Sequence, residues 1–217
     1  MFISRSRRFI FVHIPKTGGT SLMLSLEDKA MKDDILIGDT PKAQRRRRRL
    51  KGVRSAGKIW KHSTLKDIHG LLTLAEIEQF FTFTLVRNPW DRVVSYYHWL
   101  VAQEFQHAAV SLAKSTSFSE FLNHPTTMAS LSRSGYLSYV IDPNGVDRCS
   151  MFLRLETLSA QIPALEARLG YRLPNLAHVN KSKRVVDWRR YYSDADAALV
   201  AQICAPDINT FSYRFEG

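Results

Sequence analysis

The sequence predicts an α/β fold, a parallel sheet flanked by helices, from three observations. Two short runs, Phe9 to Ile14 and Phe81 to Val86, are apolar, β-branched or aromatic, and too short for helices. Each run is followed by a loop and then a helical pattern, and that repeated order calls for parallel strands joined by helical crossovers. Finally, 217 residues with 45% apolar and 11% aromatic content can fill one sizeable core. No linker rich in Pro, Gly or Ser and no internal repeat divides the chain, so residues 1–217 are read as a single domain.

The first run stops at Pro15, which cannot donate to a sheet ladder. Behind it stand Lys16, Thr17, Gly18, Gly19, Thr20 and Ser21, and the apolar spacing that follows predicts a helix over about Thr20 to Met31. A strand, a glycine turn and a helix N-terminus aim several backbone N–H groups at one point, and such groups bind anions, phosphate above all. The architecture is P-loop-like, but the spelling differs from the Walker A pattern G-x-x-x-x-G-K-[ST], because Lys16 precedes the glycines.

A polar stretch with Asp33, Asp34, Gly38, Asp39 and Pro41 leads to five consecutive arginines, Arg45 to Arg49. Like charges at helical spacing repel, so a solvated loop or helix face is expected there; an acidic-acceptor surface and nucleic-acid contact are the alternatives. Lys61-His62-Ser63-Thr64 precedes L-K-D-I, read as a helix start, and Thr73 with Glu76 spells a capping box before a helix ending near Phe80. The second run ends at Arg87-Asn88-Pro89-Trp90. Asp91 is expected to cap a long helix with Val93, Val94, Tyr97 and Leu100 on one face. Residues 108–145 read as helical and loop-rich, with a cap at Ser117 and Glu120. A third strand is expected over Ser150 to Leu155, a helix over Thr157 to Leu169 closed by Gly170, and a last helix over Asp194 to Cys204.

The formal net charge of +11 favours a polyanionic partner: nucleotide, nucleic acid or acidic glycan. Cys149 and Cys204 stand far apart, which spells neither a disulfide framework nor a zinc site and fits a reducing compartment. The basic N-terminal residues precede only six apolar ones, too few for a signal peptide, and no stretch approaches the roughly 18 apolar residues of a membrane span.

P-K-T-G-G-T-S, residues 15–21, resembles the 5′-phosphosulfate loop of sulfotransferases that use 3′-phosphoadenosine-5′-phosphosulfate (PAPS), in the branch holding bacterial carbohydrate and small-molecule enzymes and heparan-type 2-O-sulfotransferases. T-L-V-R-N-P-W-D-R-V-V-S-Y-Y, residues 84–97, resembles the 3′-phosphate motif of the same family. The resemblance implies the sulfotransferase fold, PAPS as donor and adenosine 3′,5′-bisphosphate (PAP) as product, with no metal. It implies Lys16 against the bridging oxygen and sulfonate, the amides of Thr17, Gly18, Gly19, Thr20 and Ser21 around the 5′-phosphate, and Arg87 with Ser95 on the 3′-phosphate. A guanidinium fork and a hydroxyl suit that last role. Lys181 and Ser182, in N-K-S-K, resemble the late loop that closes over the nucleotide, and His62 matches the His that removes the acceptor proton, a role suited to an imidazole near pKa 6.5. Arg92 is read as a structural ion-pair partner and His13 as a core histidine.

The expected activity is sulfuryl transfer from PAPS to a hydroxyl of a carbohydrate or small metabolite, an acidic glycan included, by a cytoplasmic enzyme without a membrane anchor. An ATP-dependent kinase of related fold is disfavoured by the position of Lys16 and the lack of a Walker B strand. A basic nucleic-acid-binding protein would leave both phosphate motifs unexplained.

Overall fold

The computed structural model describes residues 1–174 and 185–216. Five strands form one sheet in the order β3-β1-β2-β4-β5: β1 Phe2–Ser4, β2 Phe9–Val12, β3 Ile35–Leu36, β4 Phe81–Val86 and β5 Cys149–Arg154. β2, β4 and β5 run parallel, as expected, whereas β1 pairs antiparallel with both β2 and β3. The sheet is therefore mixed. Strands of three and two residues carry no readable alternation; β1 forms on the ladder that β2 offers, and β3 on the free edge of β1.

Eleven α-helices are present among the described residues: α1 Gly19–Asp28, α2 Pro41–Arg46, α3 Leu74–Gln79, α4 Pro89–Val101, α5 Ala108–Ser115, α6 Phe118–Asn123, α7 Pro125–Arg133, α8 Leu137–Val140, α9 Leu158–Leu169, α10 Asp194–Ile203 and α11 Ala205–Phe211. The capping boxes at Thr73 and Ser117 form as read, and Gly170 closes α9 with φ 76°. Residues 65–68 make a single turn: Thr64 and Asp67 exchange the reciprocal bonds of a cap, but His69 leaves into a bridge with Leu72 and Gly70 turns at φ 98°, so no helix follows. α4 is capped by Asn88, whose Oδ1 accepts from the Trp90 N–H at 3.1 Å with Pro89 at the first helical position; Asp91 sits inside the first turn. None of the described helices is long and apolar enough to cross a membrane.

The chain divides into two compact units, residues 1–86 with 136–174, and residues 87–135 with 185–216. In the first, one sheet face carries Phe2, Phe9, Phe11, Phe83, Leu85 and Leu153, packed with Leu22, Met23 and Leu26 of α1 and Leu158, Leu165 and Leu169 of α9. On the other face Ile3, Ile10, Val12, Thr82 and Thr84 are buried too, which is why β2 reads as a continuous apolar run and β4 fills its second face with β-branched threonines. The second unit packs α4, α5 and α6 around Leu100, Val110, Ala113 and Phe121, with Tyr96, Tyr97 and Trp99 against them.

Candidate active site

Both phosphate motifs follow directly on the carboxyl ends of β2 and β4, neighbouring parallel strands in register from Phe9 with Phe81 to Val12 with Thr84. Open α/β sheets place ligands at that end. The Thr84 hydroxyl donates to the Val12 carbonyl at 2.7 Å and ties the two strand ends together.

From Val12 the chain passes through buried His13 and Ile14 and turns at Lys16 and Gly18, whose φ values are 65° and 83°. A lysine in the left-handed region costs about 1 kcal/mol, a strain characteristic of functional loops. The buried Thr17 hydroxyl donates to the Ile14 carbonyl at 2.9 Å and holds the turn from inside. α1 then starts at Gly19, with Gly18 as its cap and no acidic residue in its first turn. The amides of Thr17 to Thr20 thus stand at a helix N-terminus with Lys16 on the same loop, a donor set that fits an anion, whereas the Ser21 N–H, expected in that set, donates to the Gly18 carbonyl at 3.3 Å.

Both glycines disfavour a side chain, Gly18 chiefly through its φ of 83° and Gly19 through a close approach to the His13 ring. A Cβ on Gly18 would lie 2.6 Å from Cδ1 of Leu155, and one on Gly19 would lie 2.3 Å from Cδ2 of His13. The His13 ring cannot swing away cheaply, because it is buried and packed against Phe11 and His62. We expect Gly19→Ala to cost about 1–3 kcal/mol of stability in denaturant unfolding, and His13→Ala to lower that penalty when the two are combined. Additive losses would show that the His13 ring is not what Gly19 accommodates.

His62 lies beside this loop. Its Nδ1 is 2.7 Å from the His13 carbonyl oxygen, so Nδ1 carries the proton and donates, leaving Nε2 as the acceptor nitrogen. The His13 and His62 rings meet edge to face with centroids 4.8 Å apart, and Trp60 packs on His62 in the same way at 5.0 Å. The approach is rigid: the Ser63 hydroxyl donates to the Lys58 carbonyl at 2.9 Å, and the Leu65 N–H donates to the Tyr139 carbonyl at 3.0 Å. Burial lowers the His62 pKa to about 4, and the cation of Lys61 pushes the same way against the raising effect of the His13 bond. His62 is thus a neutral imidazole at pH 7, well below the ordinary 6.5 expected from sequence. His13 is also held well below the usual range, chiefly by burial.

The second motif lies in the other unit. Arg87 donates from Nε and Nη2 to Asp91 Oδ2 at 2.8 and 2.7 Å, with both side chains nearly buried. Asp91 therefore holds the guanidinium of Arg87 instead of capping the helix. Ser95 stands four residues beyond Asp91 on α4, on the same helix face, and is 6% exposed. Arg92 donates to the Ser134 carbonyl at 2.9 Å, a structural contact. Lys181 and Ser182 lie outside the described residues.

Sequence reading missed the His13 carbonyl, Leu155 beneath Gly18, and the Arg87–Asp91 pair. Only the last had a local signal, opposite charges at i, i+4. Burial pushes the thiols of Cys149 and Cys204 up to about 12 and 11, which leaves neither of them a thiolate at neutral pH.

No curated protein matches the chain. Among solved structures it is similar to the crystal structure of mouse sulfotransferase SULT7A1 complexed with PAP, at 14% identity and a TM-score of 0.47, over 94% of this chain and 84% of that one. The profile of the Sulfotransferase family matches residues 1–216, and the chain belongs to that family.

Proposed function

We propose that this protein transfers a sulfuryl group from PAPS to an acceptor hydroxyl, with residues 1–217 working as one catalytic domain. One observation carries the reading: an anion-binding loop, Pro15 to Ser21, at the end of β2, with a neutral imidazole held beside it through the His13 carbonyl. In a member of the Sulfotransferase family, that pairing of anion cradle and proton acceptor suits sulfuryl transfer better than phosphoryl transfer.

PAPS supplies the sulfuryl group and, as leaving group, the phosphate of PAP. The remaining work falls to the chain. The amides of Thr17, Gly18, Gly19 and Thr20 bind the 5′-phosphate, and the Lys16 ammonium offsets the negative charge that grows on the leaving oxygen and the sulfonate. Arg87, oriented by Asp91, and Ser95 bind the 3′-phosphate, and Lys181 with Ser182 closes over the nucleotide. Nε2 of His62 accepts the acceptor hydroxyl's proton, and the Nδ1–H bond to the His13 carbonyl keeps the ring in that tautomer. We assign the acceptor hydroxyl to a carbohydrate or small metabolite.

A thermal-shift comparison of PAP, 5′-AMP and ATP with Mg²⁺ tests the reading. A ligand at 100 times its Kd stabilises by about 2.7 kcal/mol, so a shift with PAP alone is the expected result, and a shift with ATP and Mg²⁺ alone would replace it with a kinase. Arg87→Ala should weaken PAP by about 10²-fold and 5′-AMP by less than about threefold, as expected for losing one charge-assisted clamp. Equal weakening of both nucleotides in calorimetry would contradict the 3′-phosphate assignment.

A further inference from the structure

Sulfuryl transfer as described uses the carbonyl of His13 but not its ring, and three neighbours fix that ring. Phe11, two residues earlier, stacks on it with centroids 5.9 Å and planes 21° apart, and Phe11 rests in turn on Phe83 at 5.4 Å. His62 meets it edge to face at 4.8 Å. Gly19 is the third neighbour: a Cβ there would lie 2.3 Å from Cδ2 and 2.7 Å from Nε2 of His13, so the bare backbone at the start of α1 lies against the ring. His13 is only 8% exposed, and fully buried Phe11 and Phe83 leave it no space into which to retreat.

The backbone of His62 is held separately. It is the third residue of a turn that the Ser63 N–H closes on the Trp60 carbonyl at 3.0 Å, and the buried Ser63 hydroxyl accepts from the Trp60 N–H at 2.9 Å. What this turn leaves open is where the imidazole stands relative to the anion loop. His13 answers with both of its parts. Its carbonyl takes the Nδ1–H of His62 and fixes the tautomer, while its ring touches the His62 ring on one side and the first residue of α1 on another. In-line transfer needs the acceptor oxygen within hydrogen-bond reach of Nε2 and aligned with the sulfur at the loop, and an error of about 1 Å in that spacing can cost 10²-fold in rate.

We propose that the His13 side chain is a positioning residue, a spacer that sets the distance between His62 Nε2 and the anion loop. It acts through His62 and carries no proton itself. The proposal rests on the sulfuryl-transfer reading for the task of His62. Alanine at this position would keep the carbonyl bond and the tautomer but leave a void beside both neighbours. Buried voids close in part as the surrounding groups move in, and here those groups are the base and the cradle.

The test follows PAP release from PAPS with water as the acceptor hydroxyl, beside calorimetric binding of PAP. His13→Ala should lose about 10²-fold in kcat while binding PAP within about threefold of wild type. His13→Gln, whose amide spans the same space without a titrating proton, should recover kcat to within about fivefold. In a His62→Ala background neither substitution should change kcat by more than about twofold, because the spacing then has no base to serve. Should His13→Ala not fold, His13→Asn, whose shorter amide leaves the gap open, is set against His13→Gln in its place. Crystal structures decide the spacing without turnover: Nε2 of His62 should stand about 1 Å nearer the Cα of Gly19 in His13→Ala than in wild type, and His13→Gln should restore it. An unchanged spacing, a His13→Gln as slow as His13→Ala, or an undiminished loss in the His62→Ala background overturns the proposal. Failure of the wild type to bind PAP would instead strike the sulfuryl-transfer reading, and the crystallographic spacing would still decide the spacer.

Discussion

Lys16→Ala is expected to leave a folded protein whose turnover falls by more than about 10³-fold, because it removes the one cation on the anion loop. Loss of a single neutral oxyanion donor already costs about 10²–10³ in kcat, and an ammonium facing a leaving phosphate counts for more. The left-handed backbone at this position separates catalysis from folding. Lys16→Gly should also abolish turnover, yet it should raise stability by up to about 1 kcal/mol by removing the strain of a side chain at φ 65°. PAP release measured beside denaturant unfolding checks both halves. Turnover within tenfold of wild type in either variant would remove Lys16 from the reaction.

His62→Ala should lower kcat by about 10² to 10⁴ while PAP binds as before, the pattern of a lost general base. The pH dependence sharpens this. With its pKa at about 4, His62 is unprotonated across neutral pH, so kcat/KM for the wild type should stay level down to about pH 5 and fall as pH drops through about 4. Folding follows the same linkage. Between about 6.5 and 4 the unfolded chain binds a proton at His62 that the folded chain does not, so stability falls as pH falls, by up to roughly 3 kcal/mol from this residue. Denaturant midpoints at pH 7 and pH 5 should therefore differ less for His62→Ala than for the wild type. Loss of PAP binding in that variant would make His62 a structural residue.

What the sequence determined by itself was local. β4 falls at Phe81–Val86 as read, because a short buried run with a Pro-containing stop has no other comfortable conformation. The turn after β2 was legible because Pro15 cannot extend a ladder and Gly18 permits the turn, although β2 stops at Val12 and not at the expected Ile14, and the caps at Thr73, Ser117 and Gly170 each act within four residues. Everything spanning larger separations was decided by tertiary structure. β1 and β3 are too short to have a pattern; β1 forms on the ladder β2 provides, and β3 on that of β1. Pairing across 49 residues fixes the His62 tautomer and, with burial, moves its pKa, so no neighbouring residue could reveal either. The arginine run showed only its charge. Folding turned Arg46 and Arg49 onto backbone carbonyls and left Arg47 and Arg48 facing a cavity, because one helical ribbon cannot present five consecutive side chains to one side.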